Sequence, residues 1–253
     1  MSLIQTERTP WSHECSYHGL SLSAFMHRRR LNRLLKMVDT ISVANSGKLA
    51  DFGCSNGFIL SLMLKRFRQK ENWRFYGFDV SQELLNQARD RALLNTTFHE
   101  YDLNKIQKEW HNSFDIITSF ETIEHVGNYE NAAVNLYNAC KTGGTIFISV
   151  PNENHIPGLV KYLGRRIFRR NAYDGFFDSQ SEVKYLWHLL TDRPIAGFRT
   201  PGVDCWTQHL GFDWRQFDDF LCSHFFQPGR LELIRKEFST LNFGLFYLLE
   251  KTG

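Results

Sequence analysis

The run Lys48-Leu49-Ala50-Asp51-Phe52-Gly53-Cys54-Ser55-Asn56-Gly57 constrains the fold more than any other stretch of this chain. A short apolar strand breaks there into a turn carrying two glycines, and an apolar helix, Phe58 to Phe67, begins at once. Gly53 and Gly57 can take positive φ and carry no Cβ, so the backbone can reverse sharply and let a ligand approach the N–H groups at the helix start. Strand, glycine turn and helix in that order form the opening unit of a doubly wound α/β sheet. Glycines also end strands for structural reasons alone, so the turn by itself leaves both readings open.

Trp73 to Asp79 is a second apolar strand, and it ends in an acid. It lies about 20 residues beyond the glycine turn, the separation expected of a carboxylate that holds ribose hydroxyls. A third strand, Thr97 to Tyr101, runs into Asp102-Leu103, and a fourth, Ser113 to Phe120, runs into Glu121-Thr122-Ile123-Glu124-His125-Val126. In an open parallel sheet the C-terminal strand ends share one edge, and ligands bind there. Asp51, Asp79, Asp102 and Glu121 are therefore expected to line one crevice, although they lie far apart in sequence.

At 253 residues and 42% hydrophobic content, the chain has room for one α/β domain with an insertion and a sizeable core. Five cysteines, Cys15, Cys54, Cys140, Cys205 and Cys222, are odd in number and form no C-x-x-C pair. That argues against a disulfide framework or a zinc ribbon and points to a reducing cytoplasm. Met1 to His13 is polar, with Glu7 and Arg8, so no signal peptide is expected, and no apolar run is long enough to span a bilayer. Any membrane contact is expected to be peripheral. A net charge of +3 falls short of a strong nucleic-acid footprint.

Taken together, these segments resemble the class I S-adenosylmethionine-dependent methyltransferases. Asp51-Phe52-Gly53-Cys54-Ser55-Asn56-Gly57 is similar to that family's D-x-G-C-G-x-G loop, and Gly77-Phe78-Asp79-Val80-Ser81 to its ribose-binding G-x-D-x-S segment. Tyr101-Asp102-Leu103 is similar to its adenine-flanking segment, and Phe114-Asp115-Ile116-Ile117 with Glu121 to Val126 resembles its F-D-x-(V/I) and E-x-x-E-H-V motif. Lys141-Thr142-Gly143-Gly144-Thr145 to Pro151-Asn152 resembles the K-P-G-G turn and a fifth strand ending in V-P-N. The chain departs from the pattern at Ser55, where a glycine is usual, and at Thr142, where a proline is common.

The resemblance covers most of the chain and implies a seven-stranded, mostly parallel, Rossmann-like sheet with an antiparallel last strand. It also implies S-adenosyl-L-methionine as cofactor. Asp51, Gly53, Cys54, Ser55, Asn56 and Gly57 would surround the methionine portion, Asp79 and Val80 the ribose, and Asp102 with Leu103 the adenine. Phe120 and Glu121 would complete the cofactor site.

Ser21 to Thr40 carries apolar residues at helical spacing and is expected to pack on the sheet. Its Arg28-Arg29-Arg30 cluster reads as a solvated helix face, with an anion site as the alternative. Trp11, Tyr17 and His18 precede it in a segment that, by the resemblance, closes over the cofactor. Residues 1–46 then form a helical lid segment and 47–151 the cofactor-binding core.

Residues 152–210 are an insertion and the candidate acceptor-binding cap, since long segments inside a compact domain are usually functional. Its first part, Ile156 to Arg170, places Ile156, Leu159, Val160, Leu163 and Ile167 on one stripe. Lys161, Arg165, Arg166, Arg169 and Arg170 supply cations with no acid between them, while Gly158 and Gly164 weaken the helix. Two readings stand: a basic amphipathic helix facing an anionic membrane surface or acceptor, or a cap helix whose stripe packs on its own domain. Residues 211–253 complete the core, with a helix from Asp213 to Phe226 and a hairpin of Leu231 to Glu237 and Phe243 to Glu250.

A sulfonium is already an activated electrophile, so methyl transfer asks mainly for positioning and exclusion of water. A base is needed only where the acceptor is protonated. For a hydroxyl acceptor the candidates are His125, His155 and His209, because imidazole titrates nearest neutrality. Each has a structural alternative, His125 as a cap or backbone partner and the other two as surface residues.

Glu121, Glu124 and His125 also resemble the E-x-x-E-H set with which small-RNA 3′-terminal 2′-O-methyltransferases bind a metal. His209-Leu210-Gly211-Phe212-Asp213-Trp214 is loosely similar to their late H-x-x-F-E-W segment, but Gln208 and Gly211 stand where its doubled histidine would need partners. Metal-free enzymes of quinone and glycan biosynthesis share the E-x-x-E-H-V string, so no metal is assigned.

The expectation is a cytoplasmic S-adenosylmethionine-dependent methyltransferase, O-directed, acting on a small molecule or a lipid- or sugar-linked acceptor, and not on nucleic acid. The competing classes are a metal-dependent RNA ribose 2′-O-methyltransferase, a nicotinamide oxidoreductase, whose G-x-G-x-x-G is absent here, and a catalytically silent binding protein on the same fold.

Overall fold

Successive residues of the early strands are apolar and buried on alternate sides, the pattern of a sheet covered on both faces. The structure, a computed structural model, describes residues 14, 17, 22–41, 45–67, 70–168, 177, 179–199, 210–239 and 242–253. Strands β1 (Gly47–Phe52), β2 (Trp73–Asp79), β3 (Thr96–Glu100), β4 (Phe114–Phe120) and β5 (Cys140–Pro151) run parallel. β6 (Leu231–Phe238) pairs antiparallel with β7 (Gly244–Lys251), and β7 pairs antiparallel with β5. The seven strands lie in the order β3-β2-β1-β4-β5-β7-β6. This is the expected doubly wound sheet with an antiparallel last strand. Its order reverses between β1 and β4, and the carboxyl ends of those strands open the crevice where such sheets bind ligands.

Neighbouring residues divide between two cores as a period of two requires. Leu49, Ile116 and Phe147 join α1 (Leu22–Ile41) and α2 (Phe58–Leu64) on one face, through Leu34, Val38, Leu60 and Met63. Ala50, Ile117 and Ile148 join α4 (Tyr129–Ala139) and α7 (Trp214–Leu221) on the other, through Leu136, Phe217 and Leu221. The short helix α3 (Gln82–Asp90) follows β2 and is capped by Ser81, whose hydroxyl accepts the Leu84 N–H at 3.3 Å. Helix α7 stops short of the expected Phe226 and continues as a π turn, Cys222–Phe226. An unbroken α-helix would carry Phe225 about 80° round from Phe217. The wider turn removes that drift and keeps both rings in the core, each at most 1% exposed.

After β5 the chain forms a pair of helices, α5 (His155–Phe168) and α6 (Ser179–Leu190), with a small core of their own built on Tyr162, Tyr185, Leu189, Ile195 and Leu210. His155 reaches Leu189 at one end of the pair and Arg166 reaches Glu182 at the other, so the helices run antiparallel. Asp213 ties this unit back to the sheet, because it caps α7 and also accepts the Ile195 N–H at 3.2 Å.

The reading in which the apolar stripe of α5 packs on its own domain is corrected here. Ile156, Val160, Leu163 and Ile167 are all exposed, and of the five only Leu159 joins the small core. The cations turn inward instead. Glu153, 1% exposed, accepts Lys161 Nζ at 3.1 Å and both terminal nitrogens of Arg165, at 3.0 and 3.1 Å. A buried carboxylate demands such partners, and meeting that demand fixes which side of the helix faces the domain. Arg169 and Arg170 lie outside the described residues.

Gly158 allows the close approach: a Cβ there would sit 1.9 Å from the Glu153 carbonyl oxygen and 2.9 Å from Leu189 Cδ2, whereas nothing lies within 4 Å of one at Gly164. Gly164→Ala is therefore expected to stabilise the protein by about 0.5–1 kcal/mol in urea unfolding. Gly158→Ala should destabilise it by about 1–3 kcal/mol, and a shift of the same sign at both positions would show that α5 does not dock through Gly158.

Candidate functional site

The turn after β1 is held from the β2 side. Gly53 N–H and Cys54 N–H both donate to the Phe78 carbonyl, at 2.7 and 2.9 Å, and Gly57 N–H donates to the Cys54 carbonyl at 2.9 Å. Gly53 has φ 84°, and a Cβ there would lie 2.1 Å from Thr122 Oγ1, so the turn passes directly against the segment after β4. Ser55, at the position where the motif usually has glycine, adopts φ 50°. Its hydroxyl is buried with no hydrogen-bond partner among the described residues.

Asp79 faces this turn and joins it to the start of α3. Its Oδ2 accepts Ser55 N–H at 2.8 Å and its Oδ1 accepts Ser81 N–H at 2.9 Å. Asp51, 2% exposed at the end of β1, accepts the Thr118 hydroxyl at 2.8 Å. Burial pushes Asp51 up to about 7, against the Thr118 hydrogen bond and with the Asp79 charge adding to it. Burial raises Asp79 as well, against the N–H groups of Ser81, Ser55 and Val80. A cavity lined by Asp51, Gly53, Cys54, Ser55, Asn56, Phe58, Ile59 and Phe120 opens here.

Further along the same edge, Val80 is 41% exposed beside Asp79. The Tyr101 N–H donates to the Asp79 carbonyl at 2.9 Å and carries the chain into Asp102 and Leu103. The Asp102 carboxylate accepts Asn104 N–H and Nδ2 at 2.9 and 3.0 Å and pairs with Lys105 at 3.2 Å. Partial burial works to raise it, but these donors hold it below the usual carboxylate range. Leu103 is buried in the core, so the side chains of this pair serve the turn and the core.

On the other flank Glu121 adopts φ 49°, and its N–H donates to Ser149 O at 3.1 Å and to Ser149 Oγ at 3.2 Å. Its carboxylate pairs with Arg30 at 2.7 Å, both side chains being nearly buried at 13% and 15% exposure. Arg30 is thus not part of a solvated helix face; the turn of α1 that carries it points at the strand edge. Arg28 donates to the Tyr17 carbonyl at 3.1 Å, and the Tyr17 ring packs against Phe58 and His27. Burial raises the Tyr17 phenol, with Glu121 and Asp51 adding and Arg30 opposing. Glu14 accepts Asn56 Nδ2 at 2.9 Å and pairs with Arg91, which also donates to the Asn56 carbonyl at 2.6 Å. Glu14 and Tyr17, the described residues before α1, therefore rest on the glycine turn or its helix. Trp11 and His18 lie outside the described residues.

The candidate bases are placed differently from one another. His125 is buried in a 3₁₀ turn, Ile123–His125, with its N–H on the Thr122 carbonyl at 2.9 Å. Glu124 in the same turn is fully buried, and burial raises its carboxyl well above the usual range, with Glu121 adding and Arg30 and Lys161 opposing. His155 stands at the start of α5 with Nδ1 3.2 Å from the Leu189 carbonyl. A carbonyl only accepts, so Nδ1 is the donor in this contact and Nε2 is left out of it. His209 lies outside the described residues. Among those residues no three His, Cys, Asp or Glu side chains are grouped to hold a metal ion.

Sequence reasoning missed Arg199. It donates to the Glu124 and Val126 carbonyls at 3.1 and 2.6 Å and lies over the rings of Tyr129 and Phe212, joining the inserted segment to the turn after β4. No local pattern marks it, because its four partners come from two other stretches of chain, residues 124–129 and Phe212.

Residues 11–232 match the methyltransferase-domain family. The chain is 24% identical over 140 residues to a ubiquinone biosynthesis O-methyltransferase of Photorhabdus laumondii, covering 54% of this chain and 56% of that one. It is 27% identical over 158 residues to the enzyme of that name from Vibrio parahaemolyticus, covering 61% and 64%. The match thus spans little more than half the length of these curated relatives. The structure superposes on magnesium protoporphyrin IX methyltransferase of Synechocystis, solved with bound S-adenosylhomocysteine, with a TM-score of 0.57 at 11% identity over 94% of this chain and 92% of that one. The chain belongs to the methyltransferase-domain family, within the class I S-adenosylmethionine-dependent fold.

The residues present fit that cofactor. A buried Asp51 that the neighbouring Asp79 charge raises further suits a ligand that is cationic at one end, and exposed Val80 offers an apolar flank beside the Asp79 carboxylate suited to a ribose.

Asp51 keeps its proton to about pH 7 in the folded chain, against 3.8 as the ordinary value. Its contribution to stability is complete at acid pH and is lost as the pH rises through that window. Ligand-free protein should therefore melt lower at about pH 8 than at about pH 6, and Asp51→Asn should flatten the difference. An unchanged slope in the variant would assign the dependence to another group.

Ser55→Gly should raise stability by about 1 kcal/mol in urea unfolding, since glycine takes the left-handed conformation freely and removes a buried hydroxyl. A clear loss of stability would mean that the hydroxyl is bonded.

Proposed function

We propose that the protein transfers the methyl group of S-adenosylmethionine to an oxygen of a small-molecule acceptor, free or linked to a lipid or sugar. The observation that carries this is Asp79, half-buried at the end of β2 beside the sheet's switch point and bonded to the N–H groups of Ser55 and Ser81. A carboxylate so fixed has its remaining lone pairs in set directions, which suits a pair of ribose hydroxyls. Family membership supports the reaction class, and the names of the two curated relatives favour oxygen as the acceptor atom.

When bound, the cofactor supplies a methyl group on a sulfonium, ready for in-line displacement. The chain's own residues then have three tasks. Asp51, Gly53 and the turn to Gly57 hold the amino-acid end, with Asp79 and Val80 at the ribose and Asp102 and Leu103 beside the base. Tyr17, Arg30 and Glu121 cover the crevice on the α1 side and keep out water, which strengthens every charge inside. A base takes the acceptor's proton, and His125 and His155 are the described candidates; the Nδ1–H bond of His155 leaves Nε2 able to accept it. Residues 152–210 supply the acceptor cap in this reading, and Arg199 fixes its far end to the turn that carries Glu124 and His125. The proposed location is the cytoplasm, where Cys54, Cys140 and Cys222 remain reduced thiols.

Thermal shift with purified protein tests the class. S-adenosylmethionine and S-adenosylhomocysteine should stabilise the fold by about 2.7 kcal/mol at a hundredfold excess over Kd, and NAD should not. Asp79→Ala should weaken cofactor binding by about 1.5–3 kcal/mol in calorimetry without unfolding the domain. Turnover of phenolic or quinol acceptors should survive chelator. Stabilisation by NAD alone would reverse the class, binding without turnover would favour a silent scaffold, and chelator-sensitive turnover with stoichiometric metal would favour RNA ribose as acceptor.

A further inference from the structure

Most polar groups in the turn after β1 already have partners inside the protein. Gly53 and Cys54 N–H donate to the Phe78 carbonyl, Ser55 N–H to Asp79 Oδ2 and Gly57 N–H to the Cys54 carbonyl. Phe58 N–H donates to Asn56 Oδ1 at 3.3 Å, Asn56 Nδ2 to Glu14 at 2.9 Å, and the Cys54 thiol to the Ser55 carbonyl at 3.6 Å. The Ser55 side chain is the exception. It lines the cavity, is 7% exposed, and its hydroxyl has no hydrogen-bond partner among the described residues.

This serine costs the empty fold twice. At φ 50° it is strained where the usual glycine would not be, and a buried hydroxyl without a partner has given up its water for nothing. Strained backbone and unsatisfied buried polar groups collect at binding sites, where a ligand supplies the missing partner.

The cofactor end assigned to this turn is an amino acid, with an ammonium and a carboxylate on one carbon. Asp51 lines the same cavity, and its one hydrogen bond among the described residues runs from the Thr118 hydroxyl to Oδ1, which leaves Oδ2 for the ammonium. A carboxylate only accepts, so it needs a donor. No Lys, Arg or His is among the described residues that line the cavity. Arg30, at the strand edge, pairs with Glu121, and Arg91, which reaches the turn, pairs with Glu14 and donates to the Asn56 carbonyl. The Ser55 hydroxyl is therefore the side-chain donor of the cavity that has no acceptor among the described residues. A hydroxyl that donates to a carboxylate away from water makes a charge-assisted bond, stronger than a neutral one.

We propose that the Ser55 hydroxyl donates a hydrogen bond to the carboxylate of S-adenosylmethionine and selects for ligands that carry one. The proposal rests on the assignment of that cofactor to this crevice and adds a donor that glycine at this position cannot supply. The residue that lowers the stability of the empty protein then raises its affinity for the cofactor.

Calorimetry on the parent protein, Ser55→Ala and Ser55→Gly tests this with two nucleosides. One is S-adenosylhomocysteine; the other, S-adenosyl-3-thiopropylamine, keeps the amine and lacks only the carboxylate. Both variants should bind S-adenosylhomocysteine about tenfold or more weakly than the parent, the effect of losing a hydrogen bond to a charged group. All three proteins should bind the amine with equal affinity. Ser55→Ala keeps a side chain in the turn and removes the hydroxyl alone, so it separates the lost bond from a loosened backbone. Without ligand, neither variant should melt lower than the parent, which excludes unfolding as the cause.

Unchanged affinity of Ser55→Ala for S-adenosylhomocysteine would overturn the proposal. An equal loss for the amine would overturn it too, because the effect would then lie in the shape of the turn. A folded parent protein that binds neither nucleoside would remove the cofactor assignment itself, and the proposal with it.

Discussion

One carbonyl and one carboxylate at the end of β2 hold the turn between β1 and α2. The Phe78 carbonyl takes two consecutive N–H groups, from Gly53 and Cys54, and the Asp79 carboxylate takes a third, from Ser55. A hydrogen bond to a charged group is worth about 1.5–3 kcal/mol, enough to hold Ser55 in a left-handed conformation that costs about 1–2 kcal/mol. The turn also fixes the segment after β4, because Gly53 leaves room for Thr122 and no larger residue would. Glu121, Glu124 and His125 are carried on that segment. Three strand ends therefore behave as one unit, and a change at any of them is felt at the other two.

Buried charge shapes the second half of the site. Breaking a buried ion pair by removing one partner costs about 3–5 kcal/mol, because the other charge is left in a medium that solvates it poorly. Glu153 meets that constraint with Lys161 and Arg165, and Glu121 meets it with Arg30. The first pairing orients α5 and sends its apolar row outward; the second pulls α1 over the crevice. Hydrophobic patterning alone would have turned α5 the other way.

The crevice itself is acidic and partly protonated. Asp51 is raised toward neutrality mainly by burial, and Asp79 is raised by the same cause against three backbone N–H groups. A cationic ligand would favour the ionised form of both, so binding and deprotonation are linked. This gives the first strand's terminal acid a reason to be buried in a place where a neutral residue would otherwise cost less.

The doubly wound, mostly parallel sheet and the glycine turn facing a strand-end acid were legible in the sequence, because apolar runs ending in glycine or acid report directly on buried parallel strands; the strand order was not. Gly53, Gly57, Asp51 and Asp79 follow from local chemistry: backbone conformation, and a carboxylate at a strand end. The orientation of α5 was not legible. Its apolar stripe is a property of the helix alone, whereas the side turned inward depends on Glu153, a residue before the helix that draws its cations down. Arg30 looked like part of a surface run for the same reason, since its partner Glu121 lies in the distant segment after β4. Arg199 carried no signal at all, because the carbonyls and rings that hold it exist as a group only after folding. Sequence by itself determined the elements and the nature of the ligand edge; the tertiary structure decided which charges are buried together, because desolvation acts on groups that meet only when the chain is folded.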